Sequence, residues 1–422
     1  MEYKIIPTGC LSGEVDAPGS KSYTIRAILA ALLTDGKTTV RAPLQSRDTQ
    51  AAYNACEAFG GKITRKKDHI IIKGTGGKIK APKDVLDTLN SGTTIRIATA
   101  IAALSDCETT LTGDESIRRR PIKALLDALN QLGTTSSSAS GCPPVKIKGP
   151  LTGGVCEIPG DISSQYITAI LMASPYAKKD VEIKLKTRLK SRPYVDLTLD
   201  MLKRHKISVE NRGYESFHIA CRQKYKPTDY TVEGDYSSAA FILSAAALTK
   251  SHVRVNNLFN DSLQADKKIV ETLSKMGANA KTYKDHVVIE SDGTLNGLTV
   301  DLSDSPDLLP IVSVLGAFAE GKTEIVNTGH ARLKECDRIH AMAVELKKMG
   351  ADIVEKQDGL IMKKSKLLGT TVDGWCDHRI IMSLAVAGMH SQGTTKITGA
   401  EHVDVTFPNF RELMNGLGAE IK

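Results

Sequence analysis

The chain has 422 residues, 41% hydrophobic and 5% aromatic, with 56 Lys and Arg against 48 Asp and Glu for a formal charge of +8. That length exceeds what one hydrophobic core usually serves and predicts two domains, while the scattered basic excess suits acidic small molecules and the scarcity of aromatics argues against a stacking platform for nucleic acid. The eight cysteines show no Cys-x-x-Cys pair or zinc-like spacing, Met1 to Ile6 lacks a signal-peptide core and the apolar runs are too short to span a bilayer, so a reduced, metal-free cytoplasmic protein is expected.

In chain order, an N-terminal strand leads to Gly19-Ser20-Lys21-Ser22, which opens an almost wholly apolar run from Ile25 to Leu33. A helix apolar on all sides is a buried helix. Lys37 to Val40 then reads as a strand, an amphipathic helix ends at Gly60, and Lys62 to Lys73 reads as a hairpin. The same order returns behind Asn90-Ser91-Gly92-Thr93-Thr94: an apolar run from Ile95 to Leu104, a strand from Glu108 to Leu111, then Arg119-Arg120-Pro121. There the proline is expected in the first turn of a helix carrying Ile122, Leu125, Leu126, Leu129 and Leu132 and ending at Gly133. The polar stretch Thr134 to Gly141 reads as a surface loop.

Ser163-Ser164-Gln165 opens the third buried helix, followed by a strand at Val181 to Ile183 and by Ser191-Arg192-Pro193-Tyr194 at the head of an amphipathic helix. Ser237-Ser238, Ser305-Pro306-Asp307 and Asp377-His378-Arg379 open three more apolar runs. Between them, Arg332 to Ile339 puts five charges at the start of an amphipathic helix through Met342, Leu346 and Met349, and hairpins are expected over Ala280 to Glu290 and Ile353 to Lys363. Second helices again close at Gly277, Gly350 and Gly418.

The unit of buried helix, strand, amphipathic helix and hairpin thus recurs six times, at intervals of about 70 residues. Three units per domain predict two similar halves: residues 1–20 with 234–422, and residues 21–233. Each buried helix exposes unpaired N–H groups and the positive end of its dipole at the polar cluster, which favours an anion. Singly, each cluster is equally a cap or a solvated charge. Their recurrence at helix starts points to one composite anion site, with Lys21, Asp307, Glu335 and His378 as candidate proton-transfer groups.

Together, Gly19-Ser20-Lys21-Ser22 with Arg26, Asn90-Ser91-Gly92-Thr93 with Arg96, Arg120-Pro121, Ser163-Ser164-Gln165, Lys334-Glu335-Cys336-Asp337-Arg338 and Asp377-His378-Arg379 resemble the 5-enolpyruvylshikimate-3-phosphate synthase family, from about residue 5 to about residue 420. The resemblance implies two inside-out α/β domains of three β-α-β-α-β-β units each, closing over substrates in the cleft between them. It implies transfer of the enolpyruvyl group of phosphoenolpyruvate to the 5-hydroxyl of shikimate 3-phosphate, without a cofactor, metal or nucleic acid, by a monomer. Carried over by position, Lys21, Ser22, Arg26, Ser163, Ser164, Gln165, Ser191, Asp307 and Lys334 hold shikimate 3-phosphate. Lys21, Gly92, Arg120, Gln165, Arg338 and Arg379 hold phosphoenolpyruvate, with Asn90, Thr93, Arg96 and His378 alongside. Asp307 is the implied base toward the 5-hydroxyl, and Glu335, helped by Lys21, the implied proton donor to the methylene.

Two positions depart from the pattern: Val405 stands where some members carry Lys, and His330 where well-known members show Asn. The nearest rival, UDP-N-acetylglucosamine enolpyruvyl transferase, has Lys-Asn in place of Lys21-Ser22 and a reactive Cys in a Gly-rich loop, a context that Cys107 lacks. An RNA-end-processing protein on a similar repeated unit is the more distant alternative.

Overall fold

The computed structural model describes all 422 residues, which form two compact units: Met1–Pro18 with Glu233–Lys422 (unit 1), and Gly19–Val232 (unit 2). Each has its own apolar core. Six four-stranded sheets are present, each with one parallel pair. In the clearest unit, Gly154–Ile158 runs parallel to Val181–Leu185, with the buried Ser164–Ala173 helix as the crossover; Ser216–Ile219 and Glu210–Arg212 complete the sheet antiparallel. The strands alternate buried and exposed residues, so each sheet has one wet face.

Sequence neighbours are not always partners. Cys10–Asp16 precedes the Lys21 helix but lies parallel to Lys250–Asn256 in unit 1, and Tyr230–Thr231 precedes the Tyr236 helix but lies parallel to Lys37–Arg41 in unit 2. Glu2–Ile6 pairs with Thr395–Thr398 and with Glu420–Ile421.

The six apolar runs are helices: Lys21–Leu33, Gly92–Ala102 and Ser164–Ala173 in unit 2, and Tyr236–Leu248, Leu309–Phe318 and His378–Met389 in unit 1. Every residue of the Gly92, Tyr236 and His378 helices is buried. The amphipathic partners lie over them and turn at Gly60, Gly133, Gly277, Gly350 and Gly418, all at positive φ.

Four local expectations change. Thr135–Ser138 is a strand paired with Val145–Lys148, because the two-residue alternation of a short polar edge strand is invisible in a run of Ser and Thr. Pro121 lies outside the Lys123–Gln131 helix; Glu115–Arg119 forms its own short helix capped by Asp114, which ends at Arg120. The helix expected from Arg332 starts at Arg338 with Asp337 as its cap, and Gly329–Leu333 is a 3-10 turn. The Tyr236 helix begins ahead of Ser237-Ser238, with Asp235 at its N-cap.

Candidate active site

In unit 2 the starts of two buried helices meet. Arg96, one turn into the Gly92 helix, donates to the Gly92 carbonyl at 2.9 Å, to Gln165 Oε1 at 3.0 Å and to the Pro121 carbonyl at 3.3 Å. Gln165, at the head of the neighbouring helix, returns a bond from Nε2 to Thr93 Oγ1 at 3.1 Å. Ser91 and Ser163 cap these helices through Thr94 N and Gln165 N, and Ser164 is buried behind Ser163. Arg120 completes the corner: a Cβ on Gly92 would lie 2.5 Å from Arg120 Nη1 and 2.7 Å from Arg96 Nη1. The glycine therefore leaves room for two guanidiniums at one helix N-terminus. Asn90 is turned away, its Nδ2 donating to Asp114 at 2.6 Å.

Arg26 is 1% exposed, and every atom it donates to is neutral: Thr198 Oγ1 at 3.0 Å, the Ser22 carbonyl at 3.0 Å, the Tyr194 carbonyl at 3.1 Å and Thr168 Oγ1 at 3.5 Å. Burial pushes its guanidinium down to about 10. A buried cation without an anionic partner is costly unless a ligand supplies the charge. Ser191 stands at the N-cap of the Arg192–Arg204 helix in a left-handed conformation, φ 56°, beside Tyr194. Lys21 Nζ, at the first position of its helix, lies 2.9 Å from Asp48 Oδ2.

In unit 1 the heads of all three buried helices converge on two arginines. The Arg338 guanidinium, 1% exposed, meets Asp377 Oδ2 at 2.8 Å through Nε, Asp307 Oδ1 at 2.8 Å through Nη1 and Glu335 Oε2 at 2.6 Å through Nη2. Burial alone would lower its pKa, but Asp377, Glu335 and Asp307 together hold it well above the usual value. Burial likewise works against ionised Asp377, and Arg338 outweighs it, so the Asp377 carboxyl lies below its ordinary range. Arg379 Nη2 lies 3.1 Å from Asp307 Oδ2 and 3.2 Å from Ser237 Oγ, and Lys334 Nζ lies 3.5 Å from Asp307 Oδ1. His378 is 1% exposed, its Nδ1 3.8 Å from Asp377 Oδ1. Asp307 thus sits among three cations. Glu335, its carboxylate 11% exposed, is held from one side by Arg338.

Most residues singled out in the sequence lie at a helix start or one turn into the helix, while Arg120 instead closes the short Glu115–Arg119 helix and Lys334 follows the Gly329–Leu333 turn. Asp48, Asp266, the contact of Ser237 with Arg379 and the role of Asp377 as a ligand of Arg338 escape a sequence reading, since an acid or serine in a first helical turn is fully explained by capping. Val405 is buried at the end of the 3-10 turn Ala400–Val405. Cys336 lies 3.6 Å from Asp377, and burial first, then that carboxylate, pushes its thiol far up, against any nucleophilic thiolate there. No helix is long and apolar enough to cross a membrane.

The model of one protein family, described as EPSP synthase (3-phosphoshikimate 1-carboxyvinyltransferase), matches residues 5–414. A 3-phosphoshikimate 1-carboxyvinyltransferase of Methanocaldococcus jannaschii is 47% identical over 422 residues, covering 98% of each chain. One of Methanococcoides burtonii is 47% identical over 414 residues, covering 97% of this chain and 96% of the relative. A solved structure of EPSP synthase from Acinetobacter baumannii superposes with a TM-score of 0.84 at 28% identity, covering 100% of this chain and 99% of that one.

Proposed function

Since the chain belongs to the EPSP synthase family, we propose that the clusters just described carry out the transfer of the enolpyruvyl group of phosphoenolpyruvate to the 5-hydroxyl of shikimate 3-phosphate, with release of phosphate. The chain is a transferase of the shikimate pathway, which serves aromatic amino-acid biosynthesis. Its substrates carry two phosphates and two carboxylates, and the residues offered to them are cationic at helix starts. The observation that carries the assignment of roles is Asp307, a carboxylate set against Arg338, Arg379 and Lys334 at the head of a buried helix.

Arg26, with Ser22, Ser163, Ser164, Gln165, Ser191 and Lys334, holds shikimate 3-phosphate; its neutral-lined guanidinium suits an incoming anion. Arg120, Arg338, Arg379, Gln165 and the backbone at Gly92 hold phosphoenolpyruvate, and Lys21 serves both substrates. Thr93, Arg96 and His378 support these groups, while Asn90 acts at one remove by bracing Asp114, the cap of the short helix that leads into Arg120. Asp307 takes the proton of the 5-hydroxyl as its oxygen attacks C2 of phosphoenolpyruvate, while Glu335, with Lys21, delivers a proton to the methylene carbon. The resulting tetrahedral ketal then collapses: a proton leaves the new methyl group, the C2–O bond to phosphate breaks, and the vinyl ether forms. The carboxylates exchange acid and base roles between the two steps. We place the reaction in the cytoplasm, where eight free thiols stay reduced.

The test is phosphate release from phosphoenolpyruvate by purified protein, with shikimate 3-phosphate, with UDP-N-acetylglucosamine and with neither. Release with shikimate 3-phosphate alone is expected. Release with the sugar nucleotide, or none with either, would overturn the assignment.

A further inference from the structure

Behind Arg379 lies a second layer of polar groups that the mechanism does not use. Arg379 Nη2 donates to Ser237 Oγ at 3.2 Å, and the Ser237 hydroxyl in turn donates to Asp266 Oδ2. Asp266 is 2% exposed, Ser237 8% and Arg379 3%, so the chain of contacts is shielded from water throughout. The other carboxylate oxygen, Asp266 Oδ1, is buried without a hydrogen-bond partner. A carboxylate in that position is costly and would be replaced by an apolar residue if it only filled space.

The turn that carries Asp266 is fastened on both sides. Gln264 accepts from Tyr236 N at 3.1 Å through Oε1 and donates through Nε2 to the Gly234 carbonyl at 2.7 Å, locking the turn to the start of the Tyr236 helix. Ser305 Oγ donates to the Ala265 carbonyl at 3.1 Å, locking it to the turn that presents Asp307. Asp266 is thus placed by backbone that also places two of the buried helix heads. Burial, reinforced by Asp307 and Asp235 and opposed by Arg379, pushes its carboxyl up to about 6, and its Oδ2 accepts from the Ser237 hydroxyl. The Ser237 proton then points to Asp266, and the Ser237 lone pairs face Arg379. Asp307 also contacts Nη2 of Arg379, at 3.1 Å. Ser237 and Asp307 therefore hold one guanidinium nitrogen from two directions and fix how the planar group is presented.

We propose that Asp266 is a positioning residue for the transfer reaction, fixing through the Ser237 hydroxyl the direction of the Arg379 guanidinium and with it the hold on phosphoenolpyruvate. This rests on the role given to Arg379 above. The unit 2 residues assigned to shikimate 3-phosphate lie outside the Asp266–Ser237–Arg379 chain, and only Asp307, which shares Arg379 Nη2 with Ser237, links it to that substrate, so the effect falls mainly on phosphoenolpyruvate.

The experiment is steady-state kinetics of Ser237→Ala, Asp266→Ala and Asp266→Asn, each substrate varied in turn. Losing one ordering hydrogen bond should raise KM for phosphoenolpyruvate about tenfold in both alanine variants, with KM for shikimate 3-phosphate changed by less than about threefold. Asp266→Asn, whose amide oxygen still accepts from Ser237, should recover most of that loss, a rescue that simple destabilisation does not give. If Asp266→Ala fails to fold, Ser237→Ala, which removes one oxygen, decides. An unchanged KM for phosphoenolpyruvate in Ser237→Ala, or equal rises for both substrates, overturns the inference while leaving the function intact. Absence of shikimate 3-phosphate-dependent turnover in the unaltered protein overturns both.

Discussion

Replacing Arg338 with methionine should destabilise unit 1 by an amount that grows with pH. The guanidinium faces carboxylates at 2.8, 2.6 and 2.8 Å. At an effective dielectric near 20, each unit-charge pair about 4 Å apart is worth about 4 kcal/mol before the cost of desolvation. Removing one member of a buried pair costs about 3–5 kcal/mol, because the stranded charge stays buried. Here the freed carboxyls also repel one another, so the loss near pH 8 should reach at least about 4 kcal/mol. Protonation relieves it, at about 1.4 kcal/mol per unit by which a folded-state pKa rises. In the unaltered protein the depressed Asp377 contributes stability above its unfolded value, lost only as pH falls through its lower folded value. In the variant the same carboxyl is raised, so stability is fullest below its unfolded value and falls as pH rises. The two curves diverge upward, and near pH 5 the gap should shrink to about 2 kcal/mol or less. Urea unfolding followed by the fluorescence of Trp375, the only tryptophan, measures it: the indole lies two residues before Asp377 and donates to Glu345 at 2.8 Å. A loss below about 1 kcal/mol near pH 8, or one equal at both pH values, would mean that the three carboxylates do not depend on Arg338 for their charge.

Other outcomes follow from the same geometry. Gly92→Ala should fold normally but displace Arg120 and Arg96, raising KM for phosphoenolpyruvate by about tenfold or more while binding of shikimate 3-phosphate, measured by calorimetry, stays near normal. Asp307→Asn and Glu335→Gln should each lower kcat by about 10²-fold or more with shikimate 3-phosphate still bound; near-normal turnover would remove that residue from the mechanism. Asp266→Asn should be more stable than the unaltered protein near pH 8 by up to roughly 3 kcal/mol. The raised carboxyl of Asp266 gives stability below its unfolded pKa that is lost as pH rises through about 6, so thermal unfolding should show the gap closing toward pH 4.

Much of the fold was legible because the six buried helices break the usual amphipathic pattern: a run such as Phe241 to Leu248 has no polar face to mislead. Glycines at positive φ marked the ends of the second helices. The Thr135–Ser138 strand was hidden because hydroxyl side chains carry no two-residue hydrophobic period. At the site, arginines in apolar helices announced themselves, since Arg26, Arg96 and Arg379 are costly there without a partner. Two buried carboxylates did not. Asp48 and Asp266 occupy first turns where any acid is at home, and only the fold brings them to Lys21 and Ser237.

The enolpyruvyl transfer can be watched whole by phosphorus and proton NMR of a mixture of purified protein, phosphoenolpyruvate and shikimate 3-phosphate. The phosphoenolpyruvate signal should be replaced by inorganic phosphate and an equal amount of a new vinyl ether attached at the 5-oxygen, with the 3-phosphate retained. An unchanged spectrum, or phosphate released with pyruvate and no new vinyl ether, would contradict it.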